Sequence, residues 1–381
     1  MRRSFENSLL EIIRAVVVDR DSARAAEILN TVKSSSDAEY RELYSFAKRQ
    51  QLEHFVDYAV FCNDRTQAVD FYTSVSTTTQ QATAAREISE ALSRAKIRHI
   101  LLKGTVIRSL YPEKWMRNSC DIDVLVHEEE LNRASDVLTS LGFERRGEKT
   151  VHDISFFKDF IHIELHYRLI EDYRMAGAAA VLENLWENAV RAGEDEYALL
   201  MPDDYFYLYH IAHMAKHFGD GGCGIRPVLD TWILNHRCEF DKSAREEIIK
   251  RAKLEVFDNA MHRLSEYWFA GGSGEGLEFI EEYIFSGGAY GNLDQKREVR
   301  KSKKGRLGYI CMRAFMGYKP LRTKYPVLVK HPYLFPVLEV WRWHEFFGKN
   351  RKAHAKELKD SLKKSDEVKA MICELELSEY W

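Results

Sequence analysis

The chain contains no glycine before Gly104, no long apolar run and no marked excess of either charge. It has 56 Lys and Arg residues and 59 Asp and Glu residues, which gives a net charge of -3. The overall charge therefore does not predict a nucleic-acid binder, although a local basic patch remains possible. No stretch reaches the roughly 18 apolar residues of a membrane span. The first residues, MRRSFEN, lack the apolar run of a signal peptide. We therefore expect neither secretion nor membrane insertion.

Cysteine is sparse and irregularly spaced. The 6 cysteines of the 381 residues show no CxxC spacing, which argues against a zinc ribbon or a disulfide-stapled scaffold. A reducing compartment fits best, so we predict a cytoplasmic protein.

The length and the 45% hydrophobic content are sufficient for a full core divided into two or three domains. We predict an α+β fold, with a small mixed sheet and flanking helices between mainly helical terminal regions. The predicted divisions are a helical N-terminal region (1–95), an α/β core (96–200), a helical domain completing a cleft (201–290), and a basic and aromatic segment with C-terminal helices (291–381).

The N-terminal region has apolar residues at helical spacing, for example Leu9, Ile12, Ile13 and Val16. Two polar clusters, at 34–37 and in the threonine run 77–79, predict helix connections or starts.

Strand patterns begin later. Residues 97–102 predict the first strand, and a helix is expected from about 128 to 141, ended by Gly142. The runs 154–157 and 160–166 predict a hairpin turning at 158–159. After Pro202 the pattern is helical to about Ala270.

Two carboxylates one residue apart, Asp121 and Asp123, precede the apolar run Val124-Leu125-Val126. Successive strand side chains point to opposite faces, so both acids share one face while Ile122 enters the core. Two like charges that close together favour a bound dication, and Mg²⁺ or Mn²⁺ prefers oxygen ligands. This pair predicts a metal site.

A third carboxylate lies on the predicted hairpin. Alternation places Glu164 on one strand face with His162 and His166, whereas isoleucine and leucine occupy the other face. A charge flanked by apolar residues is costly unless it is paired or bound to metal. Three acids from two strands would form a two-metal site suited to in-line displacement at phosphorus.

Three segments together resemble the signature of the DNA polymerase β-like nucleotidyltransferase superfamily: Leu102-Lys103-Gly104-Thr105, Asp121-Ile122-Asp123-Val124 and Ile163-Glu164-Leu165. A narrower resemblance, to an uncharacterised bacterial nucleotidyltransferase family, spans roughly residues 97–234. It adds Tyr111, Arg117, His166, the helix with His213 and His217, and the run from Ile225 to Asp230.

The resemblance implies Mg²⁺- or Mn²⁺-dependent transfer of a nucleoside monophosphate from an NTP to an acceptor. Asp121, Asp123 and Glu164 would be catalytic metal ligands. Lys103, Gly104, Thr105 and Arg117 would bind the nucleotide, and the cleft or acceptor side would include His166, His213, His217, Arg226 and Asp230. The sequence departs from the superfamily pattern at Thr105, where glycine or serine is usual, and at Glu164, where many members have aspartate.

Each remaining candidate has a simpler structural interpretation. Lys103 could end a strand in solvent, and Arg117 could do the same in its loop. His210, His213 and His217 share one helical face, which could bind a transition metal or pack against neighbouring tyrosines. Arg226 and Asp230, four residues apart, could pair across one helical turn.

The C-terminal region contains a basic run at 296–306 that could contact a polyanion or a membrane surface, although most such runs are solvated loops. The stretch Trp341-Arg342-Trp343 has Leu334, Val337 and Leu338 at helical spacing, which predicts core packing.

The leading hypothesis is a nucleotidyltransferase acting on a small molecule or a protein. A non-catalytic nucleotide-binding or regulatory module of the same fold is the first alternative, and the three acids argue against it. The second is a metal-dependent phosphohydrolase built on His210, His213 and His217.

Overall fold

The computed structural model combines many helices with one mixed sheet, which confirms the predicted α+β class. The residues that it describes are 4–61, 67–170, 175–289, 291–292, 295–296, 299, 317–318, 321–322, 325–347 and 365–380. Within this part of the chain, none of the helices combines the length and the apolar character needed to cross a bilayer.

Helices alone form the described part of the first 95 residues. They are α1 (Ser4–Ile13) with a π-helical continuation (Arg14–Val18), α2 (Ala23–Lys33), α3 (Asp37–Arg49), α4 (Glu53–Phe61) and α5 (Val69–Arg94). The polar cluster at 34–37 marks a helix start, as predicted, because Ser36 and Glu39 form a reciprocal capping box at α3.

The prediction of a break at the threonine run 77–79 was wrong. These residues lie inside α5, which continues without interruption. Thr78 Oγ1 donates to the Ser74 carbonyl at 2.8 Å, and Thr79 Oγ1 donates to the Val75 carbonyl at 2.7 Å. Hydroxyls bonded back to the preceding turn are compatible with a continuous helix, so the polar run does not end it.

The sheet has seven strands in the order β3-β4-β5-β2-β1-β7-β6. The β1/β7 and β2/β5 pairs are parallel, and the other pairs are antiparallel. The strands are β1 (His99–Leu101), β2 (Ile122–Val126), β3 (Glu144–Arg145), β4 (Asp153–Lys158), β5 (Ile161–His166), β6 (Val190–Arg191) and β7 (Ala198–Leu200).

The predicted hairpin is formed by β4 and β5, although its turn lies one residue later than expected. Lys158 is the last residue of β4, so Asp159 and Phe160 form the connection. Asp159 adopts the left-handed conformation (φ 52°), which aspartate tolerates better than most residues.

Further helices cover the sheet and continue the chain. They are α6 (Lys103–Ile107), α7 (Leu131–Ser140), α8 (Ala176–Leu182), α9 (Leu185–Asn188), α10 (Asp203–Gly219), α11 (Ile225–Arg237), α12 (Lys242–Arg251), α13 (Glu255–Ala270), α14 (Glu278–Gly287) and α15 (Phe335–Phe347), followed by a helical segment at 365–374. As predicted, helix ends after Ala270, where Gly271 adopts φ 79°.

Two apolar layers sandwich the central strands. On one side, Ile122, Val124 and Ile163 pack with residues of α5 and α7. On the other, Ile100 and Leu125 belong to a second cluster that extends from α1 to α14 and includes much of α10 and α11. The acids share this second face, because Asp123 alternates with Ile122 and Val124 along β2.

In the C-terminal region the expected core packing fails for two residues of α15, because Val337 and Trp341 are 62% and 57% exposed. Leu334 and Leu338 are partly buried, and the side chains of Arg342 and Trp343 lie outside the described part of the chain. Apart from Lys296 and Val299, the basic run 296–306 lies outside the described residues.

Candidate active site

Three acidic residues, Asp121, Asp123 and Glu164, lie close together on or just before the central strands β2 and β5. The parallel register of β2 and β5 places Asp123 directly opposite Glu164, and Asp121 precedes β2 by one residue. Potential ligand atoms of Asp123, Glu164 and His166 lie within 4.8 Å of one another, as do those of Asp121, His162 and Glu164. Glu164 therefore connects the two groups.

Asp123 is a buried carboxylate with only part of its bonding capacity used. Its side chain is 1% exposed, and its Oδ1 accepts hydrogen bonds from Lys103 Nζ and from His166 Nε2, both at 2.8 Å. Burial alone would raise the pKa of Asp123, but Lys103 and His166 hold it below its usual range. Oδ2 is buried and has no hydrogen-bond partner among the described residues. An ionised, buried oxygen in this state is a natural ligand for a cation.

Asp121 is held differently. Ser119 Oγ lies 2.8 Å from Asp121 Oδ1 and donates to it. Burial, followed by the negative charges of Asp123 and Glu164, raises the pKa of Asp121. A divalent cation between the carboxylates would relieve that repulsion, so the residues present fit Mg²⁺ or Mn²⁺.

The turn between β1 and α6 brings Lys103 and Gly104 to the acids. Lys103 adopts a left-handed conformation (φ 42°), uncommon for a lysine, and its ammonium pairs with Asp123, not with solvent. Burial disfavours the charged form, yet the Asp123 carboxylate, through its charge and its hydrogen bond, and then the Glu164 carboxylate raise the pKa of Lys103. A Cβ on Gly104 would lie 2.8 Å from Ser119 Cβ and Oγ, so any larger residue would require Ser119 to shift. Thr105 follows within α6.

The loop that carries Asp121 is fixed by buried polar contacts. Arg117 Nε donates to both carboxylate oxygens of Asp230 at 2.8 and 2.9 Å, and Tyr111 donates to the same carboxylate at 2.6 Å. Asp230 therefore forms an ion pair with Arg117 of this loop. Arg226 donates to the carbonyl and side-chain oxygens of Gln51 at 3.1 Å.

Two residues that support this loop were not found by sequence reasoning. Arg108 is buried at the start of a short 3-10 helix (Arg108–Leu110) that follows α6. It donates to Gln81 Oε1 at 2.7 Å and to the Arg117 carbonyl at 3.1 Å. Gln81 Nε2 in turn donates to the Ser119 carbonyl at 2.9 Å. Their only sequence signal is a polar residue among the apolar positions of a helix, which does not identify its partner.

A cleft of about 460 Å³ separates the acids from α10 and α11. Lys103, Gly104, Arg117 and the three acids line one side, and His213, Lys216, His217 and Arg226 line the other. The sheet side is thus rich in carboxylates, whereas the helical side carries imidazoles and cations.

The three histidines of α10 do not act as one cluster. The Nε2 atoms of His213 and His217 are 3.2 Å apart, but His210 Nε2 donates to the Pro227 carbonyl at 3.1 Å on α11. Burial, and then the charge of Lys103, holds the pKa of His213 well below its ordinary value. Burial and Lys216 lower the pKa of His217 to about 4, so both rings are neutral near pH 7.

A second group beside the acids was missed from the sequence. Asp153 lies opposite His166 in the β4/β5 pair, and His152 Nε2 is 2.9 Å from Asp153 Oδ2. Both His152 and Asp153 line the cleft. The hairpin register that brings them together could have been derived only after the turn was placed correctly.

A comparison with protein-family models gives a match to residues 43–270, and the matching family is described as uncharacterised nucleotidyltransferase. The match begins within α3 and ends with the last residue of α13. It therefore includes the whole sheet, the three acids and both sides of the cleft. A comparison with curated proteins gives no match.

Proposed function

Because the chain belongs to the uncharacterised nucleotidyltransferase family, we propose that it transfers a nucleoside monophosphate from an NTP to an acceptor and releases pyrophosphate. Asp121, Asp123 and Glu164 would hold Mg²⁺ or Mn²⁺. The acceptor would be a small molecule or a protein group that reaches the cleft.

The observation that carries this proposal is the state of Asp123. Its carboxylate is buried and ionised, and its Oδ2 has no hydrogen-bond partner among the described residues. It lies directly opposite Glu164 in the neighbouring strand and two residues after Asp121. Lys103 and His166 offset part of this charge through Oδ1 alone. A site with surplus carboxylate oxygens facing a cleft is suited to cations that accompany a triphosphate.

In the proposed reaction an acceptor oxygen attacks the α-phosphorus in line with the departing pyrophosphate. The new bond joins that oxygen to phosphorus, the bond from phosphorus to the bridging oxygen breaks, and the acceptor proton passes to Glu164. The bound metal ions would stabilise charge on the attacking and leaving oxygens. Glu164 is only partly buried and lines the cleft, so it is accessible to an acceptor.

The remaining residues would position the nucleotide. The tight contact of Gly104 with Ser119 places the start of α6 beside the acids, where its backbone amides and Thr105 could face phosphate oxygens. Arg117 lines the cleft while its Nε is held by Asp230. Lys103 lines the cleft, where its ammonium would exchange its contact with Asp123 for one with a phosphate oxygen.

Specific contacts weaken both alternatives. A module that had lost catalysis would not need three converging acids around a 460 Å³ cleft. The phosphohydrolase hypothesis needs His210, His213 and His217 to converge, but His210 is bonded to Pro227 and Thr231 of α11.

The direct test compares the wild-type protein with Asp121→Asn and Asp123→Asn. Each is incubated with Mg²⁺, each labelled NTP in turn and a cell extract, and both pyrophosphate release and label transfer are measured. We expect wild-type activity and a loss of at least about 100-fold in the variants, because removing a group that acts on developing charge costs about that much.

Asp136→Asn is the matched control, since Asp136 is an exposed acid on α7 away from the cleft. It should behave as wild type. Equal activity of all four proteins, or the absence of label transfer from every NTP, would contradict the proposal.

A further inference from the structure

His152, Asp153 and His166 form a compact group on the hairpin, next to the three acids. One potential ligand atom from each lies within 4.8 Å of the others. The antiparallel register sets Asp153 opposite His166, and the imidazole rings of His152 and His166 have centroids 5.7 Å apart and planes inclined by 28°. Two imidazoles and one carboxylate are thus brought together by neighbouring backbone positions.

The hydrogen bonding of His166 indicates which of its nitrogens is available. Nε2 donates to Asp123 Oδ1 at 2.8 Å and lies 3.4 Å from Glu164 Oε2. Nδ1 is buried and has no hydrogen-bond partner among the described residues. In metal sites a ligating histidine usually donates its other ring N–H to a carboxylate, which orients the ring and fixes its tautomer. His166 already has that arrangement towards Asp123.

We propose that His152, Asp153 and His166 form a second metal site, separate from the acidic one, that binds Zn²⁺ or a similar divalent transition metal. The donor set supports this choice, because imidazole nitrogen favours zinc and its neighbours, whereas carboxylate oxygens favour magnesium. Three protein ligands are also the number in catalytic zinc sites, where a fourth position stays open to water or substrate.

The present contacts of the group are compatible with metal binding. Asp153 is almost fully buried, and Thr150 Oγ1 donates to its Oδ1 at 2.9 Å, which orients the carboxylate. Metal binding would replace the contact between His152 and Asp153 Oδ2. Because His152 and Asp153 line the cleft, the open position would be reachable by an acceptor bound beside the acids.

The two sites would be linked through the ring of His166. One nitrogen contacts Asp123, and the other would ligate the transition metal. Occupation of the second site would therefore restrict the His166 ring and the Asp123 carboxylate together, so each metal would affect the affinity of the other.

The test measures Zn²⁺ binding to the full chain, without nucleotide, after chelator treatment. Wild type, His152→Ala and Asp121→Asn are titrated with Zn²⁺ by calorimetry, and Co²⁺ is used as a spectroscopic probe, since its visible bands report coordination number and nitrogen ligands. His236→Ala is the matched control, because the partly exposed His236 lies on α11 away from the hairpin.

We expect one Zn²⁺ site in wild type, weakened at least about 100-fold in His152→Ala, given that even the loss of an orienting partner costs 10 to 100-fold. Asp121→Asn and His236→Ala should retain it. Thermal unfolding without metal checks that His152→Ala is folded. Equal Zn²⁺ binding by wild type and His152→Ala, or loss of the site only in Asp121→Asn, would overturn the proposal. Neither result bears on nucleotidyl transfer, which is measured separately with Mg²⁺.

Discussion

Replacing Lys103 with methionine tests two effects of its ammonium group: it stabilises the fold by pairing with Asp123, and it opposes metal binding at the same carboxylate. Lys103 Nζ is 2.8 Å from Asp123 Oδ1, and this carboxylate is almost completely buried. Removing one member of a buried ion pair leaves the other charge uncompensated, at a cost of about 3 to 5 kcal/mol. His166 still donates to the same oxygen, so we expect Lys103→Met to lower the free energy of unfolding by about 3 kcal/mol, the lower end of this range.

The same contact should oppose metal binding. A cation that takes up Asp123 must displace Lys103 or share the carboxylate with it, so the free energy of the ion pair is subtracted from that of metal binding. Without Lys103, about 3 kcal/mol becomes available, which corresponds to roughly 100-fold tighter binding. Mn²⁺ should then restore most of the stability that Lys103→Met loses.

Urea unfolding with and without Mn²⁺ gives the stability difference, and calorimetric titration gives the Mn²⁺ affinity. Lys250→Met, an exposed position on α12, is the control and should change neither quantity. If Lys103→Met bound Mn²⁺ more weakly than wild type, or were equally stable without metal, Lys103 would not be the counter-ion of the acidic site.

Three further substitutions test other parts of the site. Gly104→Ala places a Cβ 2.8 Å from Ser119, so we expect about 1 to 3 kcal/mol of destabilisation. We also expect weaker NTP binding in an equilibrium titration. Unchanged NTP binding would show that the close approach of Gly104 to Ser119 is not needed to bind the nucleotide. Asp230→Asn weakens the contact that holds Arg117 and, with it, the loop that carries Asp121. We expect a lower rate of pyrophosphate release together with weaker Mn²⁺ binding, and an unchanged Mn²⁺ affinity would show that this contact does not position Asp121. Burial, and then the charge of Arg226, lowers the pKa of His54 from 6.5 to about 3. Between these two pH values the unfolded chain binds a proton at His54 and the folded chain does not. The free energy of unfolding is therefore unaffected by His54 above pH 6.5 and falls by about 1.4 kcal/mol per pH unit as pH decreases towards 3. His54→Asn should flatten this dependence in urea unfolding, and an unchanged slope would contradict the assignment.

Local patterns were sufficient to predict the strands and acids of the site, because alternation along one strand decides which side chains share a face. The parallel pairing of β2 with β5 could not be derived in this way, since it joins residues about 40 positions apart. The edge strand β6 and its neighbour β7 have two and three residues, too few for a periodic pattern. The partners of Gln81, Arg108 and Asp230 were equally hidden, because each lies on a different element and only tertiary packing brings them together.

The N-terminal helices are connected to the acidic site through a short series of contacts, although the sequence places them in a separate region. Gln50, at the end of α3, accepts a hydrogen bond from the amide of Ile225 and donates to the Ile284 carbonyl, both at 3.2 Å. It therefore fixes the start of α11.

One turn further along α11, Asp230 holds Arg117 and thus the loop that ends at Asp121. His54 of α4 contacts Asn118 in the same loop at 3.2 Å. Two routes thus lead from the first helices to the Asp121 carboxylate. The family match, which begins at residue 43, includes both Gln50 and His54. The sheet supplies Asp123 and Glu164 by itself, but the position of Asp121 depends on helices that precede the sheet in the chain.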